Sequence, residues 1–201
     1  QDYPSKKWDN NQPLTLVYAA TMVAAKGIGD LIHAVGVLTQ RGVNIALTAF
    51  GTGPEESAMR DLAQRVAPGR VSFPGRVDND TLFSALRAAT LACVPSRPEW
   101  QEGGSLILTE ALASRTPVIL SDQPMFAKTF SDGEGIRFFK AGDPESLADA
   151  VQSVISRPEA YEALSQSTLA AYGRAECRTT FSDLLQRWQL SLNPSAVRQR
   201  D

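Results

Sequence analysis

The residues best placed to do chemistry lie between Pro95 and Asp122, in the run PSRPEWQEGGSLILTEALASRTPVILSD. It reads as a strand end, a glycine pair, a helix and the next strand. From Gly103 to Ser114 the only charged side chain is Glu110, set among Leu106, Ile107, Leu108 and Leu112. A helix apolar on nearly every side is expected to be buried, and a buried carboxylate without partners is costly. Glu110 therefore asks for a ligand that donates hydrogen bonds. Glu102 stands just before Gly103 and Gly104, and a helix starting at about Gly104, Ser105 and Leu106 offers free N–H groups and a positive dipole end. That suits a phosphate, with one carboxylate on each side of it.

The elements that must hold these groups follow from periodicity. Short apolar runs at 14–18, 45–50, 70–73, 90–95, 117–121 and 136–139 alternate with amphipathic stretches, among them 30–40, 54–66, 79–88 and 105–113. Runs that are continuously apolar are covered on both faces, and strand-helix alternation implies parallel crossovers. The expected fold is α/β, a doubly wound, Rossmann-like parallel sheet of about six strands, with ligands at the carboxyl ends of the strands. After Pro144 the pattern is wholly helical, giving a C-terminal extension to Leu192. Residues 14–192 are expected to form the domain and residues 193–201 a tail. The polar start, residues 1–13, is expected to be a linker from an N-terminal domain outside this sequence.

Composition sets limits. The 201 residues are 43% hydrophobic and 21% charged, with a net charge of −2 spread over interspersed acids and bases. That gives no electrostatic case for nucleic acid or an anionic membrane, so a bound anion must be met by local groups. Two cysteines and one histidine form neither a disulfide framework nor a metal-ligand set. The expected location is cytoplasmic, with peripheral membrane association only through segments outside this chain. His33 reads as a structural histidine, and the tryptophans are too scattered for a stacking platform, although Trp100 could border the site.

The stretch from Glu102 to Glu110 resembles the paired glutamates, seven residues apart, of the GT-B glycosyltransferases of family 4, also called glycosyl transferases group 1. The resemblance covers nearly the whole chain. Lys26-Gly27 resembles the family's lysine-glycine that meets the phosphates, and Gly51-Thr52-Gly53-Pro54 its glycine turn after the second strand. Phe73-Pro74-Gly75-Arg76-Val77 is similar to its base-contacting loop, Pro95-Ser96 to its proline-serine, and Thr116-Pro117-Val118-Ile119 to its next strand. The departures are Thr21, where the family has a phosphate-binding arginine, Ser105 and Arg115, each in place of a glycine. Arg97, on the opposite loop, is a candidate to replace the arginine.

The resemblance implies the C-terminal half of such an enzyme: a nucleotide-sugar donor-binding domain for retaining transfer of a hexosyl group, with no metal required and polysaccharide biosynthesis as a natural setting. Glu102 and Lys26 are the implied catalytic residues. Gly103, Gly104, Ser105, Leu106, Glu110, Gly75, Arg76, Val77, Thr21 and Arg97 are the implied donor contacts, for a UDP- or GDP-linked sugar. The partner half of the fold would supply the acceptor, so the domain alone is expected to be inactive. UDP-sugar 2-epimerases share the architecture but use additional acid-base histidines. The alternative of a different kind is a degenerate, non-catalytic module that binds a nucleotide sugar or a protein partner, which Thr21 favours. Asp78-Asn79-Asp80 resembles the metal-binding Asp-x-Asp of another glycosyltransferase architecture, but it falls where a helix N-cap is expected.

Overall fold

The computed structural model describes residues 3–9, 11–100, 104–175 and 181–192. β1 (Leu14–Ala19) leads through a 3-10 turn (Ala24–Lys26) into α1 (Ile28–Gln40). β2 (Ile45–Phe50) precedes α2 (Glu56–Val66), β3 (Val71–Gly75) precedes α3 (Asn79–Ala88), and β4 (Leu91–Val94) precedes α4 (Leu106–Ala113). β5 (Val118–Ser121) runs into the short α5 (Pro124–Thr129), and β6 (Ile136–Phe139) into α6 (Pro144–Ile155), α7 (Pro158–Ala175) and α8 (Phe181–Leu192). The strands form one six-stranded sheet in the order β3-β2-β1-β4-β5-β6, and every neighbouring pair is parallel.

Side-chain alternation along β1 divides the core. Leu14, Leu16 and Tyr18 point into a cluster with α1 and α6, while Val17 points into one with α3, α4 and α5. Helices therefore cover both faces, as the apolar runs demanded. β4 and β5 are buried at every position. β3 is an edge strand and departs from that expectation: Ser72 and Pro74 are exposed, and burial alternates along it. α1 begins two residues before the expected Asp30, directly after Gly27, whose left-handed conformation closes the preceding 3-10 turn through its N–H to the Ala24 carbonyl.

The sequence pattern missed α5, which has only six residues and is started by Pro124. Asp78 caps α3 as expected, its carboxylate accepting from the Thr81 amide at 2.7 Å. Residues 3–9 lie against the domain: Lys6 Nζ donates to the carbonyls of Leu86 and Ala89 and to Thr116 Oγ1, and Trp8 Nε1 donates to the Ile155 carbonyl. On α8, Phe181, Leu184, Leu185 and Trp188 form an exposed stripe at helical spacing. Among the described residues no helix is long and apolar enough to cross a membrane.

The strand order positions the site. The chain winds outward from β1 to β3, then returns to place β4 on the other side of β1. The loops after β1 and β4 therefore leave in opposite directions, and a crevice opens between them at the carboxyl ends of the strands.

Candidate functional site

Two chambers occupy that crevice. The first, about 250 Å³, is bounded by the end of β1, by Lys26, by Cys93–Ser96 at the end of β4 and just beyond it, and by Gly104–Ile107 at the start of α4. The second, about 330 Å³, lies between the ends of β1 and β2 and is closed by Arg76, Val77 and Leu82. Ala19, Ala20 and Thr21 line both, so the chambers are two ends of one cleft divided at Thr21. A small-molecule site is typically about 300–1,000 Å³, so the first chamber alone is small and the joined pair is adequate.

Backbone contacts shape both chambers. Ala20 N–H donates to the Phe50 carbonyl at 3.3 Å, Met22 N–H to that of Thr52 at 3.0 Å, and Gly51 N–H to that of Gly75 at 2.9 Å. The loops after β1, β2 and β3 are thereby tied in series. Gly51 has no room for a side chain, since a Cβ there would stand 2.0 Å from the Ala20 carbonyl oxygen.

The Lys26 turn is held from several sides. Glu55 Oε2 accepts the Ala24 amide at 2.8 Å, and the Ala25 carbonyl accepts the Arg97 amide at 2.9 Å. The Lys26 ammonium lies 4.5 Å from the centre of the Trp100 ring, within range of a cation–π contact. It is the only cationic side chain among the described residues that line the first chamber.

The structure brings most of the expected donor contacts together. Lys26, Gly104, Ser105 and Leu106 line the first chamber, Arg76 and Val77 the second, and Thr21 both. Gly75 stands behind the second chamber through its bond to Gly51. Glu102 and Gly103 lie outside the described residues.

Arg97 differs from expectation. Instead of lining the chamber as a substitute phosphate cation, it turns away and forms a bidentate pair with Asp30, Nε to Oδ2 and Nη2 to Oδ1, both at 2.7 Å. The reason is local: Asp30 is 3% exposed in α1, and a buried carboxylate demands a cation. Sequence reading missed Asp30, although a lone carboxylate within GIGDLIHAVG carries the same signal as Glu110 within α4.

Glu110 also corrects an expectation. α4 is only half covered: Leu108, Ala111 and Leu112 are buried, while Leu106 is 79% exposed. Glu110 lies on the partly open side, one turn beyond the Leu106 and Ile107 that line the first chamber. It is half-buried and not fully buried, and none of the described side chains is bonded to it. Burial pushes its pKa upward from the ordinary carboxylate value. His33 is exposed and lines neither chamber.

Comparison with known proteins identifies the family and the fold. The sequence model of the family described as glycosyl transferases group 1 matches residues 2–170. The chain is 31% identical over 130 residues to a phosphatidyl-myo-inositol mannosyltransferase of Mycolicibacterium smegmatis, a match covering 65% of this chain and 33% of that protein. Only about a third of that relative's length is thus spanned. Among solved structures, Anabaena HepE in complex with UDP and glucose superposes with a TM-score of 0.75 at 17% identity, covering 90% of this chain and 48% of that one. The C-terminal domain of a glycosyl transferase group 1 family protein, LpcC, from Francisella tularensis gives 0.70 at 19% identity, covering 85% and 86%. These likenesses at low identity concern the fold.

Proposed function

The chain belongs to the glycosyl transferases group 1 family, and from that premise we propose that it is the nucleotide-sugar donor-binding half of a retaining hexosyltransferase. The observation that carries this reading is the divided cleft. One end has a cation and a helix N-terminus, the other an apolar and arginine-lined chamber, and they meet at Thr21. A nucleoside diphosphate has the same division. Its diphosphate would lie at Lys26 and the amides of Gly104–Leu106, and its base between Phe50, Arg76 and Val77. The ribose would reach Glu110, which accepts its hydroxyls from the open side of α4. The solved neighbour that holds UDP and glucose is in keeping with such a ligand.

In this reading the chain's own groups act on the leaving diphosphate. As the bond from the anomeric carbon to the diphosphate oxygen lengthens, the sugar becomes oxocarbenium-like and negative charge gathers on the phosphates. Fixed donors at Lys26 and the start of α4 are worth most at that point, because they need no reorganisation as the charge develops. Glu102 would contact the sugar's hydroxyls. The acceptor would be read by the other half of a two-domain enzyme, so the 201-residue chain would bind donor without turning it over. The fixed placement of acceptor against donor supplies roughly 7–11 kcal/mol in well-oriented reactions.

One observation favours a second reading, a non-catalytic nucleotide-sugar module. With Thr21 neutral and Arg97 committed to Asp30, the first chamber has one cation among its described lining residues. Calorimetric titration with UDP, GDP and their sugar-linked forms tests both readings. Tight binding of a sugar-linked form supports a donor site. Binding of none of them would overturn it and leave only a protein-interaction module. Turnover by this chain alone, lost on Glu102→Ala, would show that the acceptor site had been misassigned to the other half.

A further inference from the structure

Arg97 and Asp30 do not line the cleft, yet apart from a long ion pair to Glu99 at 3.9 Å the polar contacts of Arg97 lead to parts of it. The Arg97 amide donates to the Ala25 carbonyl inside the Lys26 turn, and its guanidinium grips Asp30 in the first turn of α1, which starts two residues after Lys26. The Arg97 carbonyl accepts both the Trp100 amide at 3.0 Å and the Gln123 side-chain amide at 2.8 Å. Gln123 also donates to the carbonyl of Ser96, a wall of the first chamber. Trp100 in turn faces the Lys26 ammonium. One residue therefore joins the turn that carries the lysine, the loop after β4, and the loop after β5.

Resting on the donor-site reading, we propose that the Arg97–Asp30 pair is a positioning device: it sets Lys26 and the loop after β4 at the separation a diphosphate requires. A forked guanidinium-carboxylate pair fixes direction as well as distance, which a lysine in its place could not reproduce. The carboxylate that holds it is buried, so Asp30 is shielded from competing water, while the Arg97 side chain stays partly open to solvent. A displacement of about 1 Å in a binding group is enough to lose a large part of its effect. The pair would thus act on phosphate recognition while leaving the base chamber, on the far side of Thr21, untouched.

The test compares diphosphates with nucleosides. UDP against uridine, and GDP against guanosine, are titrated into the wild-type chain, into Arg97→Lys, and into the double variant Asp30→Leu with Arg97→Met. The double variant removes both charges together, so no buried carboxylate is left unpaired to unfold the protein. Expected is a loss of about tenfold in diphosphate affinity for the double variant, with nucleoside affinity held within about twofold, and an intermediate loss for Arg97→Lys. A parallel fall in both affinities, or an unchanged diphosphate affinity, would overturn the positioning role while the donor-site reading stands. A wild-type chain that binds no diphosphate would overturn both.

Discussion

A Cβ placed on Gly27 would stand 1.8 Å from the carbonyl oxygen of Pro95, and Gly27 holds a φ of 74°. The backbones of the Lys26 turn and the loop after β4 therefore touch directly at the mouth of the first chamber. Gly27→Ala meets two obstacles, the clash and a left-handed conformation that costs an L-residue roughly 1–2 kcal/mol. The variant should melt at lower temperature and lose diphosphate affinity more than nucleoside affinity. Calorimetry of unfolding and of binding checks both; normal melting and normal binding together would show that the turn is not held by this contact.

Glu110 should behave as a ligand-binding acid. Exchange to Gln keeps its shape and removes its charge, and a hydrogen bond to a charged acceptor contributes roughly 1.5–3 kcal/mol against about 1 for a neutral one. Nucleotide affinity should therefore fall by about tenfold, with unfolding little changed. Ribose forms should lose more than deoxyribose forms. Equal affinity of the wild type for the two would remove Glu110 from the ribose site.

The same residue predicts a pH dependence. Burial raises its pKa, so the carboxylate takes up a proton at a higher pH than a free carboxylate does and then ceases to accept a second hydroxyl. Nucleotide affinity should fall as pH drops through that window, and Glu110→Gln should lack this acid limb. Titrations at a series of pH values between about 4 and 7 compare the two.

Thr21 offers a gain of function. It is exposed and lines both chambers, so an arginine there has room to reach a diphosphate. An added cation at an exposed site contributes up to about 1 kcal/mol, or roughly fivefold in affinity. Thr21→Arg should tighten UDP or GDP binding by that factor, and the gain should shrink as salt is added. A gain equal for nucleosides and diphosphates would argue against phosphates at this point.

Lys6 predicts a slope in stability. Burial first, and then the nearby Arg87, lower its pKa from 10.5 to about 7. Between those values the unfolded chain keeps a proton that the folded chain releases, so folding should become more favourable as pH rises through that window. Urea midpoints at about pH 7 and pH 9.5 should differ in the wild type, and the difference should be smaller in Lys6→Met. An identical difference in both would place the slope elsewhere.

The sequence by itself determined the parallel α/β sheet, because runs such as LACV and VILS are apolar at consecutive positions and can only be covered on both faces. It also pointed to the loops around the cleft: ligand-facing loops follow strand ends, the start of α4 was legible from its glycine pair, and the resemblance to the family singled out the Lys26 turn and the Arg76–Val77 loop, which do line the cleft. Short α5 was not, because six residues carry too little periodicity to read. Nor was the half exposure of α4, because an apolar sequence does not state which of its faces the fold will leave uncovered. Only the tertiary structure decided the partner of Arg97. A guanidinium near an expected phosphate reads as a phosphate ligand until a carboxylate 67 positions away in sequence, buried on another element, proves to lie 2.7 Å from it. Charge pairing depends on distance in space, and sequence separation sets no scale for it.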